Sequence, residues 1–111
     1  MSAFNKFSQT RDAKKLEEVL ALFEKYQHKY QGQTDFEALF SELTRRYAQD
    51  VLAQSGEPGV RRGIEELEGI QKRLEKNFDI ETLPKDHIIA KEYEDVTELL
   101  NRMKSRDETG S

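Results

Sequence analysis

The chain has 111 residues, the length of one domain, and carries 18 Lys and Arg against 22 Asp and Glu for a formal net charge of −4. It has no cysteine, which excludes disulfides, cysteine-ligated zinc and a cysteine nucleophile, and no apolar run that could span a membrane or form a signal peptide. The slight acidity disfavours nucleic-acid binding, which depends on clustered Lys and Arg, so we expect a cytoplasmic protein whose partners are other proteins.

The first predicted element is a helix over about residues 10–30. Its apolar residues recur at the i, i+3, i+4, i+7 spacing of one helix face, and they are Leu16, Val19, Leu20, Phe23, Tyr26 and Tyr30. Gly32 stands where a left-handed residue commonly terminates a helix. Residues 1–9, which include Phe4 and Phe7, are predicted to form an N-terminal tail or a short docking turn.

The second predicted helix begins at a T-D-F-E sequence over residues 34–37. Here the Thr34 hydroxyl can accept a hydrogen bond from the first turn while Glu37 reaches back, which is the arrangement of a capping box. The apolar face that follows consists of Phe36, Leu39, Phe40, Leu43, Tyr47 and Val51. An E-P-G sequence over residues 57–59 disfavours continuation of this helix.

The third predicted helix covers about residues 59–77, and the fourth runs from Thr82 or Asp86 to about Lys104. Their apolar faces are Val60, Ile64, Leu67, Ile70 and Leu74, then Ile88, Ile89, Tyr93, Val96, Leu99, Leu100 and Met103. Gly63 and Gly69 lie inside the third helix, where each costs about 1 kcal/mol relative to Ala. Each marks either the close approach of a neighbouring helix or a locally less stable part of the third helix.

No segment alternates with the two-residue period of a strand, so the chain is predicted to be all-α. The connections between helices are short, which makes successive helices antiparallel neighbours. We therefore expect a single-domain, antiparallel, up-down four-helix bundle over residues 10–104, followed by a flexible, disordered C-terminal tail over residues 105–111.

Leu22 is the first candidate for a partner contact. It lies about 90° from the centre of the apolar face of the first helix, and with Val19 and Tyr26 it widens that face along one edge. A widened face indicates either deeper burial in the bundle or an intermolecular contact. Under the second interpretation Leu22 and Tyr26 bind a partner, and a homodimer through the first helix is one form of that contact.

Arg61 and Arg62 are also candidates, because they lie in the first turn of the third helix, where the helix dipole favours acidic residues. Glu65 and Glu66, four residues later, could compensate the two charges. The alternative is an arginine patch that binds an acidic partner.

Glu92 is the third candidate, because it falls inside the apolar sector of the fourth helix, near Val96 and Leu99. Gln71 similarly falls in the middle of the apolar face of the third helix. A carboxylate among apolar side chains is unfavourable unless it is paired or protonated. Glu92 is therefore expected to pair within the fold, to reach the rim of the bundle, or to face a partner.

Two carboxylate pairs, Glu65 with Glu68 and Glu92 with Asp95, lie on the third and fourth predicted helices. An ExxE pair followed by an ExxD pair resembles the metal site of the all-α nucleotide pyrophosphatases of the MazG type. The resemblance implies a hydrolase in which Glu68, Glu92 and Asp95 hold Mg²⁺ as hard oxygen ligands. At about 100° per residue, Glu65 projects to the solvated side of its helix.

No other catalytic arrangement is visible in the sequence. The two histidines, His28 and His87, project away from the apolar faces, and there is no nucleophile triad or glycine-rich phosphate loop. We therefore expect a small non-enzymatic protein-interaction module without a cofactor, acting as an adaptor, inhibitor, immunity-type or assembly factor. The alternative is the Mg²⁺-dependent hydrolase.

Overall fold

A computed structural model describes the backbone of residues 2–110 and the side chains of residues 13–106. It contains four α-helices, namely α1 (Ser2–Tyr26), α2 (Thr34–Asp50), α3 (Gly56–Asn77) and α4 (Ile88–Gly110). Single turns of 3₁₀ helix, which the sequence did not predict, lie at Leu52–Gln54 and Ile80–Thr82. Residues 2–110 contain no strand, and the predicted all-α antiparallel four-helix bundle is confirmed.

The two ends of the chain differ from the predicted boundaries. Helix α1 begins at Ser2 and α4 ends at Gly110, so both helices are longer than the apolar pattern indicated. The predicted tail or docking turn over residues 1–9 lies outside the residues whose side chains are described, and so do residues 107–111 of the predicted C-terminal tail. The predicted docking turn at the N-terminus and the predicted flexible tail at the C-terminus therefore stay predictions.

The core lies among α2, α3 and α4, which pack against one another, whereas α1 packs mainly along α2. The largest of the fully buried apolar side chains come from α3 and α4, and they are Leu67, Leu74, Ile89, Val96 and Met103. Burial of each large apolar side chain stabilises the fold by about 1.5–3 kcal/mol. Within residues 13–26, α1 contributes only Leu20 to the buried set, fewer residues than α2, α3 or α4 contributes over its described side chains. No helix in the described part of the chain is long and apolar enough to cross a membrane.

Gly63 marks the close approach of α4 to α3. A Cβ atom placed on Gly63 would lie 2.4 Å from Cε of Met103, which is closer than carbon atoms can pack. Gly69, by contrast, has no atom within 4 Å of such a Cβ. The close approach is therefore confirmed for Gly63, and Gly69 only weakens its helix locally.

The connection between α1 and α2 is held by Glu37 and not by a capping box at Thr34. Gln33 is the N-cap of α2, and no side chain hydrogen-bonds the first turn, so the predicted capping box is wrong. The Glu37 carboxylate accepts a hydrogen bond from the backbone N–H of Gly32 at 2.8 Å. It also accepts two from Arg73 of α3, at 2.5 and 3.0 Å. A bidentate, charge-assisted pair is stronger than a bond to a neutral amide, which explains why Glu37 turns toward α3.

Helix α4 begins at a histidine cap, later than the predicted starts at Thr82 and Asp86. His87 Nδ1 accepts a hydrogen bond from the backbone N–H of Ile89 at 3.1 Å, and the His87 carbonyl accepts one from Lys91 at 3.0 Å. The first bond satisfies an amide that a helix start leaves without a partner, and the second is the first intrahelical i→i−4 bond of α4. The Thr82 hydroxyl instead donates to the Asp79 carbonyl at 2.9 Å, within the preceding 3₁₀ turn.

Candidate interaction surface

The rotation of α1 about its own axis is fixed by contacts with α2. The Phe23 ring stacks on Phe36 with centroids 4.9 Å apart and lies 5.8 Å from the ring of Phe40. Nearly two turns before Phe23, Glu17 of α1 accepts a 2.6 Å hydrogen bond from the hydroxyl of the buried Tyr47 of α2. Burial raises the pKa of Tyr47, and the Glu17 carboxylate raises it further. These contacts leave the adjoining edge of α1, beside Phe23, exposed.

The outward edge of α1 carries three large apolar side chains on successive turns. Leu22 is 56% exposed, Tyr26 41% and Val19 38%, and Leu39 on α2 is 44% exposed. These four residues are called the outer patch below. Among the described side chains, the only other large apolar group that is similarly exposed is Ile88. Leu22 is therefore not part of the core, so deeper burial in the bundle is wrong for this residue, and the intermolecular contact stays a prediction.

A groove of about 730 Å³ lies between α1 and α2 and continues the outer patch. Its lining residues are Ala13, Lys15, Leu16, Val19, Arg46, Asp50, Val51 and Gln54. Tyr26 follows Val19 by two helical turns, and Arg46 follows Leu39 by two turns, so each pair shares a helix face. The outer patch and the groove thus lie on the same side of the α1–α2 contact.

Charged side chains of both signs border the outer patch. The basic residues are Lys15, Lys25, Lys29 and Arg46, and the acidic ones are Glu18, Asp35, Glu42 and Asp50. Two of these lysines place Nζ 5.6 and 5.5 Å from the centres of the neighbouring tyrosine rings, within cation–π distance. Four positive charges against four negative ones leave the border of the patch without a net charge.

The other side of α1 faces α3 across a polar groove that contains Arg62 and Glu66. Burial raises the pKa of Glu66, Glu24 of α1 raises it further, and the charge of Arg62 opposes the shift. Arg62 thus acts on Glu66, as the spacing predicted. Arg61 instead forms its 3.1 Å ion pair with Glu57, four residues before it. Neither arginine lies among the residues of the outer patch or its groove.

Glu92 is buried between α2 and α4 and pairs within the fold. Its Oε2 accepts a 3.2 Å hydrogen bond from Arg45, whose guanidinium also lies 4.0 Å from Asp95. Burial raises the pKa of Glu92, and Arg45 opposes that rise. The other polar residue predicted on an apolar face, Gln71 of α3, donates a 3.0 Å hydrogen bond to Thr97. Both residues are therefore accommodated by partners on neighbouring helices.

Sequence reasoning did not identify Arg45 as the partner of Glu92, although α2 carries a signal. Ala38, Ser41 and Ala48, all small and buried, lie on the same side of α2 as Arg45 and allow α4 to approach closely. Some polar atoms at this contact have no hydrogen-bond partner among the described residues, namely Ser41 Oγ, Arg45 Nε and Glu92 Oε1. The contact is therefore only partly satisfied.

The three carboxylates of the alternative metal set are each paired with a basic side chain. Glu68 forms a 3.2 Å ion pair with Lys104, while Glu92 and Asp95 share Arg45. Within the described residues, no group of three or more acidic or histidine side chains is placed to hold a metal ion. Glu65 is exposed, as its helical position predicted.

The structure thus brings together only two of the predicted partner-binding residues, Leu22 and Tyr26. A scan against protein-family models and searches of curated proteins and of solved structures found no match to this chain. The function is therefore argued from the surface alone.

Proposed function

We propose that the chain is a small non-enzymatic protein-interaction module that binds a partner protein through the outer patch. Such a module acts as an adaptor, an inhibitor, an immunity-type factor or an assembly factor. One observation carries the proposal: three large apolar side chains, Val19, Leu22 and Tyr26, are exposed along the edge of a helix whose adjoining face packs on α2 through Phe23.

The chemistry of the outer patch suits a protein contact. Burial of the exposed leucine and valine side chains against a partner is favourable, by about 25 cal/mol per Å² of apolar area removed from water. Tyrosine is enriched at binding hot spots because its ring buries apolar area while its hydroxyl can stay hydrogen-bonded. Spacing at i, i+3 and i+7 from Val19 to Tyr26 matches the anchors with which helices dock against grooves or other helices.

A homodimer through α1 is one form of this contact. Its test is the particle mass of the purified chain by light scattering at concentrations near about 100 μM, a range that detects weak dimers. A dimer mass that Leu22→Glu reduces to the monomer, with unchanged helicity, supports the homodimer. A monomer at that concentration leaves a different protein as the partner.

The proposal is tested by site-specific photo-crosslinking in the cell of origin. Benzoylphenylalanine is placed at position 22, in the outer patch, or at position 88 as a matched control. Ile88 is 52% exposed, close to the exposure of Leu22, but it lies at the start of α4. We expect discrete protein adducts from position 22 that are absent from position 88.

A second substitution ties the adduct to the outer patch. Tyr26→Glu should remove the adduct formed at position 22, because a carboxylate would then face the apolar surface of the partner. No adduct at position 22, or the same adducts at both positions, would overturn the proposal.

A further inference from the structure

We propose that α1 is a lid that opens as a unit while α2, α3 and α4 stay folded together. The surface beneath the lid is the side of α2 formed by Phe36, Phe40 and Tyr47, called the aromatic face below. The inference goes beyond the proposed function, because the opening needs no partner.

The first step is the narrow contact that holds α1. Over residues 13–26 only Leu20 is buried, while Leu16 and Phe23 pack against the core and stay partly exposed. This helix packs mainly along α2. Local opening requires less free energy where fewer buried apolar contacts must be broken. The described part of α1 is therefore the easiest of the four helices to detach.

Open space lies on both sides of this contact. The groove of about 730 Å³ borders α1 on one side, and a groove of about 320 Å³ separates it from α3 on the other. Gly69 lines the second groove, and a Cβ placed there would have no atom within 4 Å. Glu24 of α1 and Glu66 of α3 also line it, and their like charges oppose a closer approach of the two helices. Helix α1 thus lies along α2 and is not wedged between α2 and α3.

The second step is the core that remains when α1 leaves. Gly63 of α3 lies against Met103 of α4, and Leu67 follows Gly63 by one turn on the same face. Leu67 is 0% exposed and Met103 2%, so this contact is fully buried. The ion pair of Glu37 with Arg73 joins α2 to α3. None of these contacts uses a side chain of α1, so the other three helices keep their own core.

The third step is the hinge, which lies at the C-terminal end of α1. The Gln27 carbonyl accepts a 2.6 Å hydrogen bond from Arg73, and the Gly32 N–H donates a 2.8 Å bond to Glu37. These two bonds hold the connection between α1 and α2 against α2 and α3. Helix α1 can therefore swing away before Gln27 while the turn that follows stays in place.

Opening would change the apolar surface that the chain presents. It uncovers the aromatic face, where Phe40 and Tyr47 are each 6% exposed in the closed chain. It also separates the α1 residues of the outer patch from Leu39 of α2, so the complete outer patch exists only in the closed form. A ligand that binds one form more tightly would shift the population toward that form.

The experiment measures opening with single cysteines, which is possible because the chain has none of its own. Leu20→Cys places a thiol beneath α1, and Leu67→Cys, the matched control, places one between α3 and α4. The rate of labelling by a thiol reagent is measured at urea concentrations below the unfolding transition. We expect the logarithm of this rate to rise with urea less than about half as steeply at position 20 as at position 67, because the slope scales with the surface that opens.

A second substitution separates local opening from global unfolding. Leu100→Ala truncates a buried side chain of α4 and should accelerate labelling at position 67 by about thirtyfold or more. Labelling at position 20 should change by less than about twofold, because the α4 contact stays formed when only α1 opens. Circular dichroism checks that each variant folds, and Val96→Ala provides the same comparison with a smaller truncation.

Hydrogen exchange of the unmodified chain tests the same order without any substitution. Amides of residues 13–26 should exchange through an opening that depends less on urea than the opening that exposes amides of residues 60–74.

Three results would overturn the inference. The first is an equal urea slope at positions 20 and 67, and the second is an equal acceleration at both positions by Leu100→Ala. The third is labelling at position 20 at the rate of a free thiol without urea, since α1 would then not be closed over α2. Photo-crosslinking at position 22 is independent of all three, so the lid and the proposed function fail separately.

Discussion

Helix α2 carries an ion pair on each of two faces, and the two pairs are built differently. Toward α1 and α3, the Glu37 carboxylate is 1% exposed and accepts two hydrogen bonds from Arg73 and one from the backbone of Gly32. Toward α4, Glu92 accepts a single hydrogen bond from Arg45. The two contacts of α2 thus accommodate a buried carboxylate in two ways. Either the carboxylate has several hydrogen-bond donors, as at Glu37, or it has one donor whose side chain stays partly exposed, as at Glu92.

The consequences of the two arrangements differ. Arg73 also donates a 2.6 Å hydrogen bond to the Gln27 carbonyl and lies 5.2 Å from the centre of the Phe40 ring, so it joins α1, α2 and α3. Arg45 keeps 23% of its side chain exposed, and water can therefore share its charge. A buried pair is neutral or favourable only when its geometry is good and its remaining polar atoms are satisfied. The Glu37 pair meets that condition, and the Glu92 pair meets it in part.

Removal of Arg73 should have the largest effect. Arg73→Met keeps an apolar stem over Phe40 but leaves the buried Glu37 carboxylate without its cation, so we expect a loss of about 3–5 kcal/mol in the free energy of unfolding. Urea denaturation followed by circular dichroism measures it. The control is Arg102→Met, which removes an exposed pair with Glu98 and should cost less than about 1 kcal/mol. Equal losses in the two variants would show that the Glu37 pair is no better built than a surface pair.

Substitutions in the Arg45–Glu92 pair should lower the free energy of unfolding by less than Arg73→Met does. The loss should also depend on which of the two partners is replaced. Arg45→Met leaves Glu92 buried without a hydrogen-bond donor, and we expect a loss of about 1–3 kcal/mol. Glu92→Leu removes the desolvated carboxylate and leaves Arg45 close to Asp95 and to water, so the change should stay within about 1 kcal/mol. Urea denaturation of both variants measures the two losses. A larger loss in Glu92→Leu than in Arg45→Met would contradict this asymmetry.

Much of the fold could be predicted because it depends on local signals. Apolar spacing identified four helices, and short connections with Gly32 and Pro58 implied antiparallel neighbours. The unusual position of Glu92 was also readable, since a carboxylate inside an apolar sector must find a partner. The boundaries were less accurate, because the 3₁₀ turn at Leu52–Gln54 and the early start of α3 depend on packing and not on periodicity.

The partners of the charged residues could not be predicted. Glu37 and Arg73 are 36 residues apart, and Arg45 and Glu92 are 47 apart, so each pair depends on how two helices are rotated against each other. The periodicity gives the face of a helix but not the residue that a neighbour presents to it. The exposure of Leu22 could not be predicted for the same reason, because only the contacts of α1 with α2 showed which edge of the helix faces outward.

The pH dependence of stability tests the burial of Glu92 further. Burial raises the pKa of Glu92, so the folded chain binds this proton more readily than the unfolded chain does. Such a group stabilises the fold fully below its unfolded pKa, and that contribution is lost as pH rises through the folded pKa. We expect the stability difference between the chain and Glu92→Gln to shift in favour of the chain as pH falls from about 7 to about 5. Urea denaturation at several pH values measures it.

The control for that titration is Glu94→Gln on the exposed side of the same helix. The stability difference of Glu92→Gln should change more over this range than that of the control, because burial raises the pKa of Glu92. The effect at Glu92 should be smaller than the loss in Arg45→Met, because Arg45 opposes the rise of the pKa. A flat difference for Glu92→Gln would show that its carboxyl is solvated in the folded chain.

The start of α2 gives the smallest expected effect and tests whether Glu37 alone holds this end of the helix. Loss of a threonine N-cap costs about 1 kcal/mol, but Gln33 is the N-cap here and no side chain caps the first turn. Thr34→Ala should therefore change the free energy of unfolding by less than about 0.5 kcal/mol, the range of ordinary surface substitutions. Gly32→Ala is the contrasting variant, because it forces a side chain into a backbone with φ of +83° beside the amide that binds Glu37. It should be destabilised by about 1–2 kcal/mol. A loss of that size in Thr34→Ala instead would mean that threonine caps the helix and that the ion pair with Arg73 only supports it.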